Sequence, residues 1–125
     1  MDNRAEKIQD SELEIMRALW HAGKPVPLMD LRHELASSRG WEDSTIKTLL
    51  RRLQDKGAVR LMSRGIYAAV VSEKEYRQWS IKSYISKVFD GSAKMLVASL
   101  VSAGELSEED IHELSETFNA EGYHE

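Results

Sequence analysis

The 125-residue chain has no cysteine. That excludes disulfides, thiolate metal sites and cysteine nucleophiles together, and it suits a cytoplasmic protein. No uncharged apolar run is long enough to cross a membrane, and the opening Met-Asp-Asn-Arg-Ala-Glu lacks the apolar core of a signal peptide. The expected location is the cytoplasm, with no membrane partner. A nucleophile elbow, a phosphate-binding glycine loop and a convincing pair of catalytic carboxylates are missing as well, so no enzyme and no cofactor is expected. His33-Glu-Leu-Ala-Ser37 and His112-Glu-Leu-Ser-Glu116 each begin like a zinc-protease helix but lack the second histidine. His112 among its glutamates reads as a solvated side chain, not a metal ligand, and His124 sits on a tail expected to fray.

What is present is a globular composition, 42% hydrophobic and 30% charged. The net charge of −4 looks wrong for a nucleic-acid binder, but its distribution answers the objection. Residues 1–71 carry 12 Lys/Arg against 10 Asp/Glu; residues 72–125 carry 5 against 11. Between positions 44 and 64 there are six basic side chains and one acidic one, Asp55. The basic charge is therefore local, and the acidic half helps to orient it toward a polyanion.

That basic stretch is helical by its spacing. Ile46, Leu49, Leu50 and Leu53 mark one face, while Ser44, Thr48 and Arg51 centre the other, flanked by Lys47 and Arg52. Asp43 or Ser44 can cap its start and Gly57 can end it. Short hydroxyls near the start with longer cations behind suit a helix entering the major groove of DNA.

The neighbours strengthen this reading. Ser11 with Glu14 forms a capping box for a first helix over about 11–22, with Leu13, Met16, Leu19 and Trp20 on its apolar side. Residues 1–9 read as a loose lead-in, and Lys24-Pro-Val-Pro27 as an extended connection. A second helix at about 28–38 turns Leu28, Leu31, Leu35 and Ala36 inward, and Trp41 anchors the entry to the third. Beyond Gly57 the period becomes two: Val59, Leu61, Ile66, Ala68 and Val70 alternate with Arg60, Met62, Tyr67 and Ala69 about a turn at Arg64-Gly65. Three helices and a hairpin make a winged helix-turn-helix, with Arg64 at the wing tip. The fold class is mainly α: a winged-helix DNA-binding domain at 1–71, then C-terminal dimerisation helices at 72–125.

In that second part, Ser72 with Glu75 opens a helix to about Phe89, striped by Ile81, Tyr84, Ile85 and Val88 and extended by Trp79 and Tyr76. Asp90-Gly91-Ser92 breaks it. Residues 93–102 are apolar nearly all round, and Ser107 with Asp110 caps a last helix. Fifty-four residues cannot bury so apolar a helix alone, so a second copy is the simplest cover and a symmetric homodimer is expected. Its interface should draw on Trp79, Tyr84, Ile85, Val88, Phe89, Leu96, Leu100, Ile111, Leu114 and Phe118. The alternative is that these helices fold back on their own winged helix.

Taken together, Asp10-Ser-Glu-Leu-Glu-Ile-Met-Arg-Ala-Leu-Trp20, Trp41 with Ser44-Thr-Ile-Lys-Thr-Leu-Leu-Arg-Arg-Leu53, Lys56-Gly57-Ala58, Phe89-Asp-Gly-Ser92 and Glu105-Leu-Ser-Glu-Glu109 resemble the penicillinase-repressor (BlaI/MecI/CopY) family of bacterial winged-helix repressors. The resemblance covers nearly the whole chain. It implies a homodimer that binds a double-stranded operator of two inverted half-sites and blocks transcription, commonly of a resistance gene. It carries Thr45, Lys47, Thr48 and Arg51 across as groove contacts, to which the helical geometry adds Ser44. Arg52 and Lys56 fall to phosphates or the groove flank, and Arg64 to the backbone or minor groove.

Two departures narrow the inducer. Copper-responsive members carry Cys-x-Cys motifs, and a chain without cysteine cannot sense copper that way. β-Lactam-responsive members are cut at an Asn-Phe bond by a sensor-linked protease, a partner the resemblance also implies; the aligned pair here is Ser99-Leu100. The hairpin also looks shorter than the family's basic wing. Two rival readings remain: a protein-binding adaptor whose basic face docks an acidic partner, and a sensor whose dimer pocket takes a small molecule or metal. Charge alone suits the adaptor equally. The hydroxyls of Ser44, Thr45 and Thr48 favour DNA.

Overall fold

The computed structural model describes residue 5 and residues 8–120. The element order is α1 (Asp10–Ala22), β1 (Val26–Pro27), α2 (Leu28–Arg39), α3 (Asp43–Asp55), β2 (Val59–Ser63), β3 (Ile66–Ala69), α4 (Glu73–Val88), α5 (Ala93–Ser102) and α6 (Glu108–Ala120). Three helices and a small antiparallel sheet form a winged helix-turn-helix. The chain divides into two compact units within α4, after Ile81.

The first unit closes on one core. Ile15, Met16 and Leu19 of α1, Leu31 and Leu35 of α2, and Ile46, Leu49, Leu50 and Leu53 of α3 are all buried, with Val59 and Val71 beneath the sheet. Ala5 and Ile8 are buried too, so the lead-in contributes to this core at two of its three described positions. Residues 1–4, 6 and 7 of that stretch, and His124, lie outside the described residues. Ala36 faces solvent, contrary to the sequence reading, because α2 turns only a narrow Leu31–Leu35 stripe inward.

The helix starts lie upstream of the expected caps. For α1 the Gln9 N–H donates to Glu12 Oε1 at 3.0 Å, two residues before the expected Ser11–Glu14 pair. Glu14 instead binds Arg17 and Arg39, at 3.1 and 2.7 Å. For α3 the capping position falls to Glu42, which makes no side-chain cap bond, and Asp43 and Ser44 are already in the first turn. At the other end Gly57 has φ +79°, and the Ala58 N–H reaches back to the Leu53 carbonyl at 2.9 Å. This six-residue loop-back satisfies a last-turn carbonyl and stops the helix.

The extended Pro25–Pro27 segment supplies a third strand. β1 pairs antiparallel with β3, Val26 opposite Tyr67 and Pro27 opposite Ile66, giving the order β1-β3-β2. Proline is tolerated there because β1 is an edge. The hairpin faces differ from the sequence reading. Val59 lies opposite Ala69 and Leu61 opposite Tyr67, with an irregularity between Leu61 and Ser63. Directly opposed residues share a face, so Tyr67 and Ala69, not Ile66 and Ala68, join Val59 on the core side.

The opening turns of α4 belong to the first unit. Ser72 Oγ accepts the Glu75 N–H at 3.0 Å, as the sequence pattern anticipates. Tyr76 stacks tilted between Trp20 and Trp79, with ring centroids 5.7 and 5.8 Å apart. Trp79, expected at a dimer interface, packs here against the core of its own winged helix.

In the second unit, Asp90 (φ +49°) and Gly91 (φ +86°) break the chain before α5, and Ser92 Oγ caps it through the Met95 N–H at 3.1 Å. Ser107 and Asp110 cap α6 reciprocally, both bonds 3.0 Å. None of the described residues of this unit is buried. Tyr84, Val88, Met95 and Leu114 are each more than half exposed. No helix among the described residues is long and apolar enough to cross a membrane.

Candidate nucleic-acid interface

α3 is a strongly two-sided helix. Ile46, Leu49, Leu50 and Leu53 are at most 4% exposed, which fixes the helix against α1 and α2 and leaves its rotation no freedom. That packing turns Ser44, Thr45, Lys47, Thr48, Arg51 and Arg52 outward, every one of them exposed. Two shallow hollows lie between them on the outer surface. Ser44, Thr45, Thr48, Leu49 and Arg52 line one; Lys47, Thr48 and Arg51 line the other.

The row has the chemistry of a groove reader. Hydroxyls donate and accept at short range, and a guanidinium presents a planar fork that matches the two acceptors of a guanine edge. The hydroxyls stand on the first turns, where the helix dipole is also positive. Arg60 on β2 and Arg64 in the turn between β2 and β3 are exposed on the hairpin. Both add cationic side chains beyond the helix itself.

Ion pairs tie both ends of α3 to its neighbours. At the start, Arg32 of α2 lies 3.4 Å from Asp43. At the end, Lys56 does not simply project outward: its ammonium binds the carboxylate of Glu12, which is wholly buried in α1. Nothing in the local sequence pattern points to that partnership. Glu12 stands 44 residues away and looks like an ordinary polar position on an amphipathic helix.

In the second unit, Val97, Leu106, Ile111, Leu114 and Phe118 line an apolar groove between α5 and α6. Tyr84 meets Phe89 edge-on with centroids 5.8 Å apart. Leu96 and Leu100 are half-buried, and Ile111, Leu114 and Phe118 are exposed. His112 lies 3.3 Å from Glu116 with both side chains largely exposed, and no three potential metal ligands converge among the described residues.

The sequence model of a family described as penicillinase repressor matches residues 8–120. The methicillin resistance regulatory protein MecI of Mammaliicoccus sciuri is 32% identical over 122 residues, spanning 95% of this chain and 98% of that protein. A penicillinase repressor of Bacillus licheniformis is 29% identical over 111 residues, 86% of each chain. One from Staphylococcus aureus is 28% identical over 122 residues, 95% of this chain and 96% of its own.

Proposed function

The chain belongs to the penicillinase-repressor family, and from that premise we propose that it is a transcriptional repressor that binds an inverted-repeat DNA operator as a homodimer. The observation that carries this reading is the outward row of α3, held by four buried aliphatic residues on the opposite face. Ser44, Thr45, Lys47, Thr48 and Arg51 face base edges in the major groove. Arg52 and Arg64 hold phosphates, and so supply the salt-sensitive part of the affinity.

The second unit supports the homodimer. A unit with no buried residue among those described needs a cover, and the α5–α6 groove lined by Val97, Leu106, Ile111, Leu114 and Phe118 is apolar and free of charge, with Leu96 and Leu100 half-buried on the same unit. Pairing two copies through it brings two reading helices to one DNA site, which an inverted repeat matches. The regulated gene is a resistance or stress-response gene, in keeping with the names of the relatives. A sensor-linked protease is the partner that the family resemblance implies for release, and Ser99–Leu100 departs from the pair cut in β-lactam-responsive members.

The test is capture of fragments of the source genome by the purified protein at near-physiological salt. Captured fragments should come from promoters, and a reporter behind them should be silenced by the wild-type chain and not by Arg51→Ala. Fragments drawn evenly from coding and promoter DNA would refute a repressor role.

A further inference from the structure

Among the described residues Glu12 is the one charged side chain removed entirely from solvent. Its Oε1 accepts the Gln9 N–H at 3.0 Å and the Lys56 ammonium at 2.5 Å. Its Oε2 is buried and accepts no hydrogen bond among the described residues. Lys56 is the residue on which α3 ends, and its side chain is 22% exposed. The contact therefore runs from inside α1 to the foot of the reading helix.

An ion pair in such a place is a poor source of stability. Desolvating the charges cancels much of their attraction, and well-packed apolar side chains of equal volume commonly hold a fold as well or better. An orphan carboxylate oxygen makes the balance worse. What a charged pair supplies and an apolar contact does not is direction and fixed length. Groove reading needs both, since a hydrogen bond to a base edge weakens steeply with small errors of distance and angle. Leu49, Leu50 and Leu53 hold the rotation of α3, and the Glu12–Lys56 pair pins its foot to α1.

We propose that Glu12 is a positioning residue for DNA reading: through Lys56 it fixes the end of α3, and Lys56 serves that contact and not a phosphate. The inference rests on the repressor reading above. It differs from the sequence expectation for Lys56 in a measurable way, because a lysine on a phosphate contributes to the salt dependence of binding and a lysine on a buried glutamate does not.

The experiment compares the wild-type chain, the Glu12→Gln/Lys56→Met double variant and Lys56→Arg, each titrated with its selected operator and with random duplex over a range of salt. Thermal unfolding of each variant is measured alongside. The double variant should fold with a midpoint near wild type and keep its salt slope and its affinity for random duplex. Its preference for operator should fall by about tenfold or more. Lys56→Arg, which keeps a cation for Glu12, should retain most of the preference. A double variant with unchanged preference would overturn the proposal. So would a parallel loss on both duplexes with the salt slope reduced by about one phosphate per protomer, which would make Lys56 a phosphate contact. If the double variant does not fold, Glu12→Gln alone decides: it keeps an acceptor of the same shape, and full operator preference in a folded Glu12→Gln protein overturns the proposal. A wild-type chain that prefers no sequence removes the repressor reading itself, an outcome the variants do not mimic.

Discussion

The indole Nε1 of Trp20 donates to the backbone carbonyl of Val71 at 2.9 Å, joining the end of α1 to the point where β3 gives way to α4. Val71 is fully buried, so its carbonyl has no water to turn to. Trp20→Phe keeps an aromatic ring beside Tyr76 but deletes the donor. The expected cost is about 1–3 kcal/mol, the penalty of a buried acceptor left unsatisfied. Urea unfolding followed by circular dichroism measures it, and a loss below a few tenths of a kcal/mol would show the bond to be dispensable.

Gly57 ends α3 at φ +79°, where a side chain meets its own backbone. Gly57→Ala is expected to destabilise the fold by about 1–2 kcal/mol. Its effect on DNA should follow from loss of folded protein alone, so affinity per folded molecule, measured well below the melting midpoint, should stay near wild type.

Arg51 stands exposed at the centre of the outward row of α3. Arg51→Ala should cost about 1–3 kcal/mol of operator affinity per half-site and relax preference at one base position. Binding to a panel of single-base operator variants reads this directly. A uniform loss across the panel would reassign Arg51 to the phosphate backbone.

Leu100 lies half-buried on α5, in a unit whose described residues include none that is buried. Leu100→Asp should place a charge in the subunit interface and shift the protein to monomer, with loss of most operator affinity. Sedimentation velocity at micromolar concentration separates the two states. A variant that remained dimeric would move the interface elsewhere.

Much of this was legible in the sequence because it rests on local periodicity. Ile46, Leu49, Leu50 and Leu53 announce the buried face of α3, and the outward row follows from 3.6 residues per turn. Gly57, the Arg64-Gly65 turn and the Ser107–Asp110 cap are short-range signals of the same kind. The misreadings have tertiary causes. Ser11–Glu14 has the form of a capping box, yet Glu14 binds Arg39 on α2 and Glu12 takes the helix start because it is held inward by Lys56. β1 is two residues long and includes a proline, so only its partner β3 makes it a strand. The faces of β3 depend on which strand lies on each side, and alternation alone does not choose between the two faces.

In the proposed complex, two copies of α3 read an inverted repeat. Selection of bound duplexes from a random library, with the purified protein at near-physiological salt, tests it most directly. An inverted repeat should be enriched, its half-sites about one helical turn (~34 Å) or a multiple apart. Weak, salt-sensitive binding with no sequence enriched would contradict it, and would leave the basic face of α3 as a docking surface for an acidic protein.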